Sequence, residues 1–548
     1  MRAARFATLS LVLVVTVLAV TAPAVPAGPS APTSLRGFLL RPGESETHTF
    51  SRTPAFAWNP VRGASCYEFR LATSRSFDDS TVVWSNVVPG TSSGRACRSS
   101  RSITIPAVSV DLTLPWFTGR PYAVYAQVRA VTPRGPSSWS RPYGFNMRWE
   151  NLPVPMVARP GLLRWRPVEG ATGYQVWFTD VRRSFATHTN VADMREFYLF
   201  HEDPNWWATV RWRVRAVRQV LGSIPNGLPA VSYGPWSPEY ATASPDLPGG
   251  KLQLQVAVSD VVSSSWKSGA HQLMPALMFR GEGLNASRYS LFRAYAFTDR
   301  DCVNVVYRGS VVGGPAFAPR TTGPLKLPST LEELEKAMFG ILPAGLDENA
   351  KTFMADATPI ASNETRPDEE TPAAVDLPDV DATTTRYFWT VVPVGFEVNE
   401  ETGALEYYDA ESPQDACEAG RVSTFAKRSQ PAVTASGTPY VSGLTPKGRL
   451  LASATRQPTV YSTPLVAWRP VVGATAYEIQ WSRSKYPWRV TGSKRTFSTS
   501  AVLKVGPGVW YYRVRGLNGV QVGTPVMTWS QPVAVRVVRP TFRIARGG

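Results

Sequence analysis

Histidine and cysteine are scarce in these 548 residues, four of each, and lysine is nearly as rare, with ten against 48 arginines. His48, His188, His201 and His271 fall in different loops or linkers without H-E-x-x-H spacing, which excludes the two-histidine helix of a zinc hydrolase. His201-Glu202-Asp203 is a polar cluster, but three adjacent residues of an extended chain cannot converge on one metal, so it reads as a turn before Pro204. Cys66, Cys97, Cys302 and Cys417 include no C-x-x-C pair, which excludes the thiolate spacing of structural zinc. Glycine loops that cradle phosphate are absent. Gly90-Thr-Ser-Ser-Gly94 has the G-x-S-x-G letters, but it lies in a Ser- and Gly-rich loop instead of a strand-to-helix turn. Ser264-x-x-Lys267 and Ser482-x-x-Lys485 lack the companion S-D-N and K-T-G motifs. No catalytic residue, metal ligand or cofactor is expected, and the chain reads as no enzyme.

Long apolar runs are also missing beyond the first 20 residues. Arg2 and Arg5 precede an apolar run from Leu9 to Val20, followed by small residues at Ala22, Ala24 and Ala27. That layout reads as a secretory signal peptide over 1–27. A spanning helix needs roughly 20 apolar residues, and Pro23 and Pro26 interrupt this one. The expectation is a secreted or cell-surface protein with no transmembrane segment after cleavage. The excess of Arg over Lys matches GC-rich bacterial coding. Proline (48), glycine (41) and tryptophan (18) are plentiful, which suits short-stranded β-domains with many turns and large apolar anchors.

The strongest positive signal is an internal repeat. Trp58-Asn-Pro-Val-Arg-Gly-Ala-Ser-Cys-Tyr67 returns as Trp165-Arg-Pro-Val-Glu-Gly-Ala-Thr-Gly-Tyr174 and as Trp468-Arg-Pro-Val-Val-Gly-Ala-Thr-Ala-Tyr477. Each time a Trp ends an apolar strand, a Pro and Gly turn follows, and a Tyr opens a strand that alternates with period two. A second block alternates as Val124, Ala126, Val128, Ala130; as Val210, Trp212, Val214, Ala216; and as Trp510, Tyr512, Val514, Gly516. A Trp-Ser pair closes each unit: Trp139-Ser140, Trp236-Ser237 and Trp529-Ser530.

This combination resembles fibronectin type III domains, and the resemblance implies all-β, immunoglobulin-like sandwiches with the three repeat tryptophans buried between sheets. The expected layout is four tandem units: 46–149, 150–245, a degenerate third at 246–430, and 455–548, with linkers at 28–45 and 431–454. The third is recognised by Pro275-Ala-Leu-Met-Phe279, Tyr289, Leu291, Asn304-Val-Val-Tyr307 and Tyr387-Phe-Trp389-Thr-Val-Val-Pro-Val394. It carries an acidic insertion near 318–385, expected to be partly helical after Ser329-Thr330 and partly disordered. Placing each cysteine pair within one unit gives Cys66–Cys97 and Cys302–Cys417. The shorter loop is worth roughly 3 kcal/mol in the chain-entropy model.

The formal charge is +17, and residues 331–382 hold thirteen Asp or Glu against Lys336, Lys351 and Arg366, so the rest of the chain carries +27. Part of it is ordered on strands: Arg211, Arg213 and Arg215 in the second unit, Arg513 and Arg515 in the last, each set on one face. These arginines are candidate anion-binding residues. The opposing reading is a solvated strand face whose charges discourage aggregation. On that second reading, changing the second unit's three to Gln costs less than about 0.5 kcal/mol each. Trp177, Trp207 and Trp488 are candidate aromatic contacts, for which packing between units is the alternative. The partners this surface suits are an anionic cell-wall polymer, a polysaccharide or a surface protein. Nucleic acid is not expected, since no nucleic-acid-binding motif accompanies the charge. The function expected is non-enzymatic binding or adhesion. A spacer or scaffold, and a non-catalytic subunit of a secreted carbohydrate-active system, are the alternatives.

Overall fold

The computed structural model describes residues 28–39, 48–87, 97–98, 101–156, 162–179, 182–188, 190–193, 211–225, 227–241, 253–256, 277–280, 291–312, 316–317, 330, 377–381, 383–402, 404–427, 440–444, 450–453, 459–460, 464–471, 473–518 and 526–537. The signal-peptide segment, Trp207, His201, the G-x-S-x-G stretch and nearly all of the acidic insertion lie outside these residues.

The described strands form eight sheets in four consecutive pairs, and the fold is all-β. In the second unit Pro155–Met156, Leu162–Trp165 and Val191–Asp193 make the smaller sheet. Its larger sheet runs Arg183–Thr187, Gly173–Phe178, Arg211–Gln219, Val231–Tyr233. The first and fourth units repeat this plan, each adding a short strand that runs parallel to the last one, Thr49–Phe50 beside Tyr143–Met147 and Thr459–Val460 beside Val533–Val537. The third pairs Leu291–Phe297 with Val305–Val312 and with Tyr387–Val398.

Residue size sets the register. The repeat tyrosines lie opposite the smallest inward residues of the long strand: Tyr67 opposite Ala130, Tyr174 opposite Ala216, Tyr477 opposite Gly516. That leaves room for Trp58, Trp165 and Trp468, which are 1%, 0% and 0% exposed and meet the tyrosine rings edge-on at 5.2–5.4 Å. Each tyrosine hydroxyl accepts the backbone N–H of the turn valine, Val61, Val168 or Val471. The turn glycines Gly63, Gly170 and Gly473 have φ of +76°, +84° and +79°, where a side chain is strained. Trp, Pro-Val, Gly and Tyr thus recur together because they are parts of one buried clamp.

Three features differ from the sequence expectations. The linker assigned to 431–454 supplies Tyr440–Leu444 and Leu450–Ser453 to the fourth unit's smaller sheet, where the first of these strands pairs with Leu465–Ala467. Similarly, the linker at 28–45 supplies Arg36–Phe38, paired with Ala55–Ala57. Thr330 forms an isolated bridge with Ala404, and the helix expected after it lies outside the described residues. A helix that the sequence reading missed, Pro413–Glu418, is capped by Ser412, whose hydroxyl accepts the Asp415 N–H, and it presents Cys417.

The disulfides join Cys66 to Cys97 and Cys302 to Cys417. The second closes a separation of 115 residues. Replacing both of its cysteines by Ser should therefore cost the third unit about 4–5 kcal/mol in the chain-entropy model. Non-reducing denaturant titration of the double variant against the parent checks this.

The units also pack against one another. Between the first and second, Ser51 Oγ–H donates to Glu169 and the Trp116 amide donates to Ser232 Oγ, while Trp116 Nε1–H holds the Ser51 carbonyl from within the first unit. A Cβ on Gly170 would stand 2.4 Å from the Ser51 oxygen, so this close approach also requires glycine. The fourth unit docks on the first. Asp111 accepts from Thr496 Oγ1 and the Phe497 amide, Ser109 bonds Ser500, and Leu465 joins Ala55, Ala57, Ile105 and Ala107 in one apolar cluster. Asp379 of the third unit accepts from Thr528 Oγ1 of the fourth.

Candidate functional site

The outward residues of the long strand Arg211–Gln219 are Arg211, Arg213 and Arg215, alternating with the buried Trp212, Val214 and Ala216. Alternation puts the guanidiniums on one face, and the closing Trp-Ser pair then covers them. Arg213 and Arg215 lie 5.0 and 4.6 Å from the Trp236 ring centroid, and Arg215 lies 4.1 Å from that of Tyr233. Arg211 sits at the exposed end of the row with Glu239 at 3.4 Å. Both partners are solvated, so that pair is worth little.

The serine of each Trp-Ser pair fixes the tryptophan over the row. Ser237 N–H donates to the Val214 carbonyl, and Ser237 Oγ accepts the Val214 N–H in return. Ser140 holds Val128 and Ser530 holds Val514 in the same way. Ser237→Ala strands the Val214 amide in a buried position, which costs about 1–3 kcal/mol. Urea denaturation of that variant, with Ser530→Ala as its parallel in the fourth unit, checks the prediction.

The same construction recurs in two other units. In the first, Arg70 and Arg129 stack on Trp139 at 4.2 and 4.6 Å. In the fourth, Arg513 lies between Trp488 (4.5 Å) and Trp529 (4.2 Å), and Arg515 stacks on Trp529 at 4.5 Å. Trp488, a candidate aromatic contact, also donates its Nε1–H to Gln480, and it is half-buried. Trp177 is half-buried too and stands directly opposite Arg213 in the sheet register.

One difference between these faces bears directly on their charge. Glu68 lies opposite Arg129 and Glu478 opposite Arg515, and both form ion pairs, at 2.6 and 2.7 Å. At the matching place in the second unit stands Gln175, which accepts from Arg215 Nε at 2.8 Å without bringing a negative charge. Arg213 has no carboxylate partner among the described residues. The second unit therefore holds the row whose inner charges are not cancelled. Burial lowers the Arg215 pKa, with Tyr233 opposing and the Arg213 charge adding to the shift. Arg513 is lowered by burial first and then by Arg515, against the pull of Glu478.

The stacking also changes the expected cost of substitution. Arg213 and Arg215 are half-buried against rings, and such contacts contribute about 0.5–2 kcal/mol each. Replacing them by Gln is therefore more costly than for solvated strand positions. Among its described residues the third unit has no such row. There Arg293 pairs with Asp409 at 2.9 Å, Asp409 also takes the Tyr295 hydroxyl, and Arg308 donates to Tyr295.

The other chemistry-bearing residues stay apart. His48 stacks between Tyr122 and Tyr143 and bonds the Gly144 carbonyl. Desolvation lowers the pKa of the half-buried His188, which bonds the Thr172 carbonyl. Among the described residues no group of three or more His, Cys, Asp or Glu could hold a metal ion. A cleft of about 480 Å³ in the third unit is lined by Thr298, Asp299, Asn304, Thr384, Arg386 and Phe388. Its carboxylate is spent on the Val303 and Asn304 amides of its own turn.

No family model matches this chain. No curated protein matches it in sequence either. Among solved structures, the FN1-FN3 domains of chicken CNTN1 are similar at 14% identity, over 53% of this chain and 87% of that one, with a TM-score of 0.14. No helix among the described residues is long and apolar enough to cross a membrane.

Proposed function

We propose that this chain is an exported, non-enzymatic binding protein whose second unit takes an anionic cell-wall polymer on its arginine–tryptophan face. The observation that carries the reading is Gln175, where the first and fourth units place Glu68 and Glu478. Without a carboxylate there, Arg213 and Arg215 keep their charge available while Trp236 and Tyr233 hold the guanidiniums in place. A planar, pre-oriented guanidinium suits phosphate and carboxylate groups. Trp177 beside Arg213 supplies a ring on which a sugar can stack. Two formed disulfides and the N-terminal apolar run support export.

The test is a pull-down of residues 28–548 on isolated cell walls, eluted with salt. Binding should fall steeply between 0.1 and 1 M, as the Debye length shrinks from about 10 to about 3 Å. Retention that ignores salt would remove the charge-based reading. A second reading, a stiff scaffold, is favoured by the contacts of Asp111 and Asp379 between units. It predicts no retention on walls at any salt.

A further inference from the structure

Two arginines not on the binding face meet where three units join. Arg218 belongs to the same strand as Arg213 and Arg215, but its even position turns it to the inner side, and it is 4% exposed. Arg52 of the first unit is also 4% exposed. Arg52 Nη2–H donates to the Ala474 carbonyl of the fourth unit, and its guanidinium lies 5.8 Å from the Tyr477 ring centroid. Arg218 donates from Nε to the Leu114 carbonyl of the first unit and from Nη1 to the Gly170 carbonyl of the second. Every acceptor is a neutral carbonyl. Among the described residues no ion pair joins either arginine to a carboxylate, and Glu169 beside the junction accepts from Ser51. The Nε of Arg52 is buried with no partner among the described residues.

Two buried cations near each other, without a counter-charge, oppose closure of the junction. Isolated buried charges are costly unless paired and hydrogen-bonded. The strain is legible in Arg218, whose pKa is pushed down to about 9, first by burial and then by the Arg52 charge, with Tyr477 opposing. We propose that this junction is a binding site for a small inorganic anion, a halide or an oxyanion, held by Arg52 and Arg218. The bound anion supplies the missing negative charge and ties the first, second and fourth units together. This site is separate from the wall-binding face, since Arg218 and Arg213 lie on opposite sides of one strand.

The test uses the full chain, dialysed free of chloride, phosphate and sulfate, at constant ionic strength. Titration with sodium chloride, sodium phosphate or sodium sulfate in the low millimolar range should raise the melting midpoint saturably by a few degrees with at least one of them. Comparing the three distinguishes a halide from an oxyanion. Arg52→Gln and Arg218→Gln should each lose the saturable rise, leaving only the gradual effect that such salts have on any protein. Should both variants fail to fold, calorimetric titration of the parent chain with the same salts decides. A saturable heat supports the site. No saturable heat with any of the three, or an equal rise in parent and variants, overturns it. Neither result depends on wall binding.

Discussion

Trp468→Ala should leave the fourth unit only marginally stable at room temperature. The indole is fully buried, meets Tyr477 edge-on at 5.4 Å, and packs with Val466, Ile479, Tyr512, Val514 and Val535. Removing a side chain of this size from a packed core costs about 3–5 kcal/mol, which approaches the whole stability of a marginal domain, about 5 kcal/mol. Among the described residues the Trp468 Nε1–H has no hydrogen-bond partner, so the loss is one of packing. The damage should spread to the first unit, because Tyr477 lies beneath the Arg52 guanidinium and Ser500 is bonded to Ser109. Limited proteolysis should then cut the fourth unit first, while the second, whose Trp165 is untouched, resists. Trp468→Phe keeps a ring in the slot and should recover part of the loss. A Trp468→Ala chain with the parent's denaturation midpoint would show that the shared repeat is not what holds the sandwich together.

The fold was legible because every part of the repeat has its own physical reason to be where it is. Trp fills the space left opposite Ala or Gly, Tyr clamps the turn through its hydroxyl, and Gly supplies the positive φ. The candidate site was legible only in half. Alternation placed Arg213 and Arg215 on one face and named Trp236-Ser237 as the end of the unit. It could not show that the second feature folds over the first, since 21 residues separate Arg215 from Trp236 and the loop between decides the approach. Gln175 was invisible for the same reason, as its meaning depends on the cross-strand register that sets Glu68 and Glu478 in equivalent places. Arg218 did leave a signal. It continues the inward series Trp212, Val214, Ala216, and a charge at an inward position asks for an explanation. Tyr440–Leu444 lies within the expected linker, and its pairing with Leu465–Ala467 is what makes it a strand.

Gln175→Glu should weaken wall binding while leaving the fold intact. The new carboxylate would stand opposite Arg215, where Glu68 and Glu478 already pair with Arg129 and Arg515 at 2.6 and 2.7 Å. Arg215 is half-buried, so the added ion pair should change stability by no more than about 1 kcal/mol. It acts on binding because it both occupies the guanidinium and subtracts one charge from the row. Two unit charges 4 Å apart interact by about 1 kcal/mol in water, so losing one such attraction lowers affinity about fivefold. The loss should be greatest at low salt and disappear near 1 M, where the Debye length is about 3 Å. The reciprocal change, Glu478→Gln, releases Arg515 in the fourth unit and should strengthen binding under the same conditions. Arg215→Gln is the less informative substitution, since it also removes the stacking on Trp236 and Tyr233 and so mixes folding with binding. Equal retention of the parent, Gln175→Glu and Glu478→Gln on cell walls at 0.1 M salt would assign the arginine rows to holding the sandwich together, and Trp177 would become the residue to change next.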